Sequence, residues 1–187
     1  MVEVMVAVLV VSVGLLGIAK MQALALASTG TAKMRSLASI EAASLASTMR
    51  ADRAYWAAIT ATSAAPFIVN VNSSGAIAAA LDATLQTAPA SGCTSTATPC
   101  TSNQIAALDL SNWAASLVAT LPAPAAGTNN AVITCINSPP VSCTIQLNWN
   151  ENVVAMSTST NTAASQANNS AALQAVMATS YSMYVDP

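Results

Sequence analysis

Sixteen consecutive residues without a charge, Val4 to Ala19 (VMVAVLVVSVGLLGIA), constrain this chain more than any other feature. As a helix they span about 24 Å, short of the roughly 30 Å hydrocarbon core of a bilayer. Beyond Lys20 the apolar character resumes as MQALALASTGTA, to Ala32. A lysine ammonium can reach along its stem to the interface, so the extended segment is long enough to span. A cleaved signal peptide would begin with a basic stretch and end at a small-residue cleavage site, whereas this segment begins with Glu3. The helix of a soluble core would keep polar residues on one face, and Val4 to Ile18 offers only Ser12. The segment is therefore expected to be a membrane anchor.

Nothing after the apolar run stops the helix. The first proline is Pro66, and Ala, Leu, Met, Lys, Arg and Glu dominate up to residue 58. One helix from about residue 2 to 58 would be on the order of 85 Å long, far more than a bilayer needs. Residues 1–27 are expected to serve as membrane or filament core. Residues 28–58 are expected to dock on a head, and a modest apolar stripe of Leu26, Met34, Leu37, Ile40, Leu45, Met49, Trp56 and Ile59 runs along and just beyond them. Gly14 and Gly17 lie on nearly one face, where they permit close helix approach or local melting; spacing alone fits a tolerated small-residue pair equally well.

Residues 59–187 read as a separate head domain. All five Lys and Arg lie within the first 53 residues, so the head has carboxylates and no cations. Too few cations exist anywhere for a phosphate-binding groove, which argues against nucleic acid as a partner. Alanine fills 42 positions and aromatic residues 4%, so the core must be built from small side chains around a few large anchors. Helices are expected at 74–87, from Ile77, Leu81 and Leu85, and at Gln104 to Leu121, capped by Asp109 or Ser111 and stopped by Pro122. Strands are expected at Ala131 to Ile136 and Cys143 to Trp149, where Cys143, Ile145, Leu147 and Trp149 alternate with polar residues. Pairing Cys135 with Cys143 would set Ile133 opposite Ile145 and Ala131 opposite Leu147, all on the apolar face. Further strands are expected at Asn152 to Met156 and Ser180 to Val185, joined by a polar linker or short helix from Ser157 to Ala178.

The four cysteines, Cys93, Cys100, Cys135 and Cys143, are separated by six and seven intervening residues within each pair, not the two to four of a zinc knuckle. Two disulfides fit better. Three connectivities are open, and locality favours Cys93 with Cys100 and Cys135 with Cys143. Disulfides imply an oxidising compartment. The chain has no histidine, which removes Ser-His and Cys-His pairs and imidazole metal sites. No G-x-S-x-G, phosphate-loop or S-x-x-K motif occurs. Asp82 and Glu151 are read as solvated carboxylates without a partner. No enzymatic activity, metal or cofactor is expected.

The opening VEVMVAVLVVSVGLLGIAKMQ, Val2 to Gln22, resembles the start of a mature type IV pilin. Within that family it is similar to the PilV-type minor pilins, whose first helix also carries G-L-L-G before a polar continuation. Trp113, Leu117, Leu121-Pro122 and a strand ending Trp149-Asn150-Glu151 are loosely similar to the same group. The resemblance implies an α+β fold, with a long N-terminal helix on a small antiparallel head. It implies a minor pilin that joins or primes a filament used in assembly, adhesion or twitching motility. Its implied partners are other major and minor pilins, the inner membrane before assembly, and the pilus assembly machinery. It implies an inner-membrane subunit with a periplasmic head, later part of an extracellular pilus. Glu3 matches the family's glutamate, implied to pair with the N-terminal amine of a neighbouring subunit. Family precursors carry a basic leader ending in glycine, whereas only Met1 and Val2 precede Glu3, so the sequence is expected to be truncated at its start. A minor pseudopilin of a type II secretion system shares the first helix and is the nearest alternative. A membrane-anchored periplasmic enzyme or binding module is the alternative of another class.

Overall fold

The computed structural model describes residues 2–60, 65–90, 92–94, 99–137, 140–153 and 175–187. Helix α1 runs without interruption through Val2–Ala51. Its sequence supplies Ala, Leu and Met in quantity, no proline, an acid (Glu3) in its first turn and a base (Arg50) in its last, which complements the helix dipole. The expected helix to residue 58 is broken once. At Asp52 the backbone leaves the helical region (φ −101°, ψ 57°), and α2, Arg53–Trp56, restarts after it, with Tyr55 and Trp56 buried.

The chain divides into two compact units. One comprises Met1–Met34 with Asn152–Met177, the other Arg35–Glu151 with Ala178–Pro187. Within the first, the α1 residues are almost all exposed. Within the second, α1 buries Ala38, Glu41, Ala42, Leu45, Ala46 and Met49, a face built largely on four-residue steps of alanine. The stripe of large residues read from the sequence is thus only partly the docking face, since Leu26 and Ile40 are exposed. Alanine carries the contact because it lets the helix approach its neighbours closely at no cost in side-chain entropy.

The head sheet has five antiparallel-paired or edge strands in the order β2-β1-β3-β4-β5: β1 Phe67–Val71, β2 Ile77–Ala79, β3 Ala131–Asn137, β4 Val141–Val153 and β5 Ala175–Val185. The β3–β4 hairpin sets Ala131 opposite Leu147, Ile133 opposite Ile145 and Cys135 opposite Cys143. One face of the sheet is buried through Phe67, Val69, Val71, Ala131, Ile133, Ile145, Leu147 and Trp149. Between those positions Thr134, Thr144 and Asn148 are half-buried and Gln146 is exposed, the alternation of a sheet covered on one side. Disulfides join Cys93 to Cys100 and Cys135 to Cys143.

Three expectations are corrected. Residues 74–87 form no helix but β2 and a 3-10 turn at Ala83–Gln86. Asn72 redirects the chain: its Oδ1 accepts from the amides of Ser74 and Ala76, each at 2.9 Å, and Gly75 takes φ +82° to close the β1–β2 hairpin. Strand β1 was not expected at all. Helix α3, Ser102–Thr120, begins earlier than expected, and its cap is Thr101, not Asp109 or Ser111. Thr101 and Gln104 form a reciprocal capping box. Of the expected strand at 152–156, residues 152–153 belong to β4 and the rest lie outside the described residues; β5 begins at residue 175 instead of 180.

Candidate functional site

Three groups of side chains bear on function: the exposed α1 segment with Glu3, the polar anchors of the head, and a small cleft beside Tyr55. In residues 2–34 of α1, Val2, Val4, Met5, Val6, Val8, Leu9, Val10, Val11, Val13, Leu15, Leu16 and Ile18 are all more than half exposed. One 18-residue window of this helix is apolar enough to cross a membrane, and none of it is buried within the chain. A row of this kind is consistent with a membrane-spanning segment or with packing against other helices. Glu3 sits in the first helical turn, and Lys20 follows the uncharged run. Beyond their own helix backbone, Gly14, Gly17 and Gly30 have no described atom within 4 Å of where a Cβ would stand.

In the head, Arg35 of α1 makes a two-pronged bond to Glu151 of β4: Nε donates to Oε1 at 3.2 Å and Nη2 to Oε2 at 3.1 Å. Trp149 Nε1 donates to the same Oε1 at 3.2 Å. The Glu151 side chain is 2% exposed, which overturns its reading as a solvated carboxylate. A carboxylate can be buried here because three donors replace its water. The bond raises the affinity of the Arg35 guanidinium for its proton, through the hydrogen bond first and the opposite charge second.

Glu41, also on α1, is buried without a cation. Its Oε1 accepts from Ser116 Oγ at 3.0 Å and Thr120 Oγ1 at 3.2 Å, both on α3. Trp113 Nε1, one turn earlier on α3, donates to the Glu41 carbonyl at 2.9 Å. The two helices are thus keyed at one level by an indole and two hydroxyls. No sequence signal marks this arrangement, because the partners are distant in sequence and of ordinary type.

The third group lies at the end of the head containing α2. A cleft of about 300 Å³ is lined by Tyr55, Ile59, Phe67, Leu81, Asp82 and Asn103 among others. Tyr55 donates to Asp82 Oδ2 at 2.7 Å, and Thr84 donates to Oδ1 through its amide at 2.9 Å and its hydroxyl at 2.6 Å. Burial opposes ionisation of Asp82, but the bonds from Thr84 and Tyr55 outweigh it and hold the carboxyl below the usual carboxylate range. Burial first, then the bond to Asp82, pushes the Tyr55 phenol above its ordinary range and keeps it protonated. Burial, followed by the negative charge of Asp109, pushes Asp52 up; its Oδ2 is buried without a hydrogen-bond partner. This set offers a capped turn and a bound phenol, not a nucleophile with a base. Among the described residues no three His, Cys, Asp or Glu side chains are grouped as a metal site.

The structure does not bring the sequence-predicted residues together. Glu3 belongs to the first unit, while Cys93, Cys100, Cys135 and Cys143 staple two loops of the second. The arrangement of a long N-terminal helix, a small antiparallel sheet and two disulfides is consistent with a pilin-like fold. No family model, curated protein or solved structure matches the chain.

Proposed function

We propose that this protein is a minor subunit of a type IV pilus, held in the inner membrane by residues 2–34 of α1 before assembly and packed through the same residues among other subunits afterwards. The observation that carries the reading is the contrast within α1. From Val4 to Ala19 the helix exposes apolar side chains on every face, whereas from Ala38 on it buries one face within the chain's own head. A simple anchor needs about 20 residues in bilayer and a short linker. A rigid continuous helix of 50 residues fits a part that must leave the bilayer and enter a bundle of similar helices. The head, free of cations beyond Arg53 and stapled by two disulfides, suits an oxidising, extracytoplasmic setting.

Glu3 serves assembly in this reading. A carboxylate at the start of an apolar helix is tolerated at the aqueous edge of a bilayer but is costly inside a helix bundle unless paired. Glu3→Ala should leave the head folded, disulfide-bonded and membrane-anchored, while lowering the amount of the chain in sheared surface fibres about tenfold relative to wild type. Unchanged incorporation in the presence of the other subunits would remove the assembly role.

A further inference from the structure

The described sheet has two edges, and the chain treats them differently. At one edge β2 spans only Ile77–Ala79, and Gln86 of the following 3-10 turn reaches back to it, its Nε2 donating to the Ala79 carbonyl at 3.0 Å. At the other edge β5, Ala175–Val185, runs for 11 residues. An edge strand pairs on one side alone, so every second residue of β5 turns its N–H and C=O away from β4. Sheets shield such an edge with a charge, a proline, a bulge or a short strand. The β5 sequence, AVMATSYSMYV, is long and contains neither a charge nor a proline.

The side chains of β5 show a second deficit. In β4 the inward positions Cys143, Ile145, Leu147 and Trp149 are all buried. In β5 the alternation Thr179, Tyr181, Met183 is only half-buried, and full burial is reached at Val185. The core therefore thins out under β5 and leaves apolar surface of Tyr181 and Met183 uncovered. Just beyond the strand stands Asp186, exposed and outside the described salt bridge, Arg35–Glu151.

We propose that the outer edge of β5 takes an extended strand from a different protein, apolar at alternate positions, uncharged along the paired length, and carrying a lysine or arginine at the end level with Asp186. Such a strand makes good both deficits at once: it offers partners to the outward N–H and C=O groups, and side chains to Tyr181 and Met183. A helix laid over β5 would cover the side chains and leave the backbone groups unpaired. Charge complementarity separates a foreign strand from a second copy of this head. Residues 54–187 contain no Lys or Arg, so no strand of a second head could bring a cation to Asp186. The site goes beyond the filament reading and makes no use of residues 2–34.

The test uses the full chain in detergent micelles and a fluorescent peptide that alternates valine and threonine, with a lysine at each end. Fluorescence anisotropy gives its Kd, and amide hydrogen exchange shows where it binds. At a peptide concentration about ten times the Kd, the outward amides of β5 should exchange about tenfold more slowly, because the peptide must leave before they open, while those of β2 are unmoved. The same peptide N-methylated at every valine and threonine keeps its side chains but loses its donors, and should bind at least about tenfold more weakly. Asp186→Asn should weaken binding of the unmodified peptide about twofold to fivefold at low salt. β5 amides already protected in the chain alone would show that the chain closes its own edge, and a β5-to-β5 dimer would make a second copy the occupant; either overturns the proposal. So would equal binding of the N-methylated peptide, unchanged binding to Asp186→Asn, or no binding up to about 1 mM peptide. The shear assay on Glu3→Ala decides the filament role separately, because it makes no use of β5.

Discussion

Residues 2–34 and 35–51 belong to one helix, yet they solve opposite problems. The first stretch has large aliphatic side chains on every side from Val4 to Ile18, and these find no cover among the described residues. The second has a narrow face of Ala38, Ala42, Leu45, Ala46 and Met49, all at most 1% exposed, and mostly small or polar residues elsewhere, with Ile40 exposed. Hydrophobic side chains all round a helix signal burial by lipid or by neighbouring molecules, whereas a stripe signals burial by the chain itself. The lesson is that burial in the isolated molecule misstates what the first stretch does, and correctly reports what the second does.

Mutations should separate the two stretches. Trp149→Ala should have the largest effect, about 3–5 kcal/mol of head stability, because it empties a buried site and removes a donor from Glu151; chemical denaturation of the full chain checks this. Leu9→Ala, a truncation of an exposed residue in the first stretch, should leave the head's unfolding midpoint unchanged. An equal loss for both would erase the distinction. Ala42→Leu should cost about 1–3 kcal/mol by overpacking the close helix contact, while Ala25→Leu, at an exposed position, should cost nothing measurable in the same assay.

Glycine substitutions sharpen the same contrast at smaller scale. Gly75→Ala should destabilise the head by about 1 kcal/mol, since its φ of +82° strains any residue with a Cβ. Gly14→Ala and Gly17→Ala should leave the thermal midpoint of the head in place, with nothing near their Cβ positions to displace.

The smallest expected effect is that of pH, and it is confined to the head. Asp82 has a lowered folded pKa, so its contribution is present above the unfolded carboxylate range and is lost as pH falls through the folded value. Asp82→Asn should flatten that acid limb by less than about 1 kcal/mol, since the group is only half-buried and solvent screens it. Asp52 has the reverse sign: its raised pKa means that stability is lost as pH rises through the folded value. Asp52→Asn should therefore slightly raise stability at neutral pH. Denaturation midpoints across pH 3 to 7 (about the range in which carboxylates titrate) would show both slopes.

Legibility in the sequence followed the same division. The uncharged run and the absence of proline define α1, because helix propensity and hydrocarbon length act locally. The β3–β4 register could be read because setting Cys135 opposite Cys143 keeps Ile145 and Leu147 in phase with Ile133 and Ala131 on the apolar face. The β1–β2 hairpin was missed because Ile77, Leu81 and Leu85 imitate a helical spacing. The Asn72 side chain, which caps the turn, weighs more than that spacing, and Leu85 reaches the core from a 3-10 turn instead. Glu151 could not be read, because its partner Arg35 is 116 residues away and nothing local marks either as buried. Of the candidate site, Glu3 was visible as a charge beside an apolar run, whereas the Glu41 key to Ser116 and Thr120 depends on two helices meeting.

The central claim, that the exposed half of α1 is covered by other subunits in a filament, is tested most directly by locating the intact chain. Surface fibres are sheared from cells that express it, and the fibres, membranes and medium are probed for the chain with an antibody to the head. The account predicts the chain in the fibre fraction as well as the inner membrane. Its confinement to the membrane, or its release as a soluble head, would contradict it.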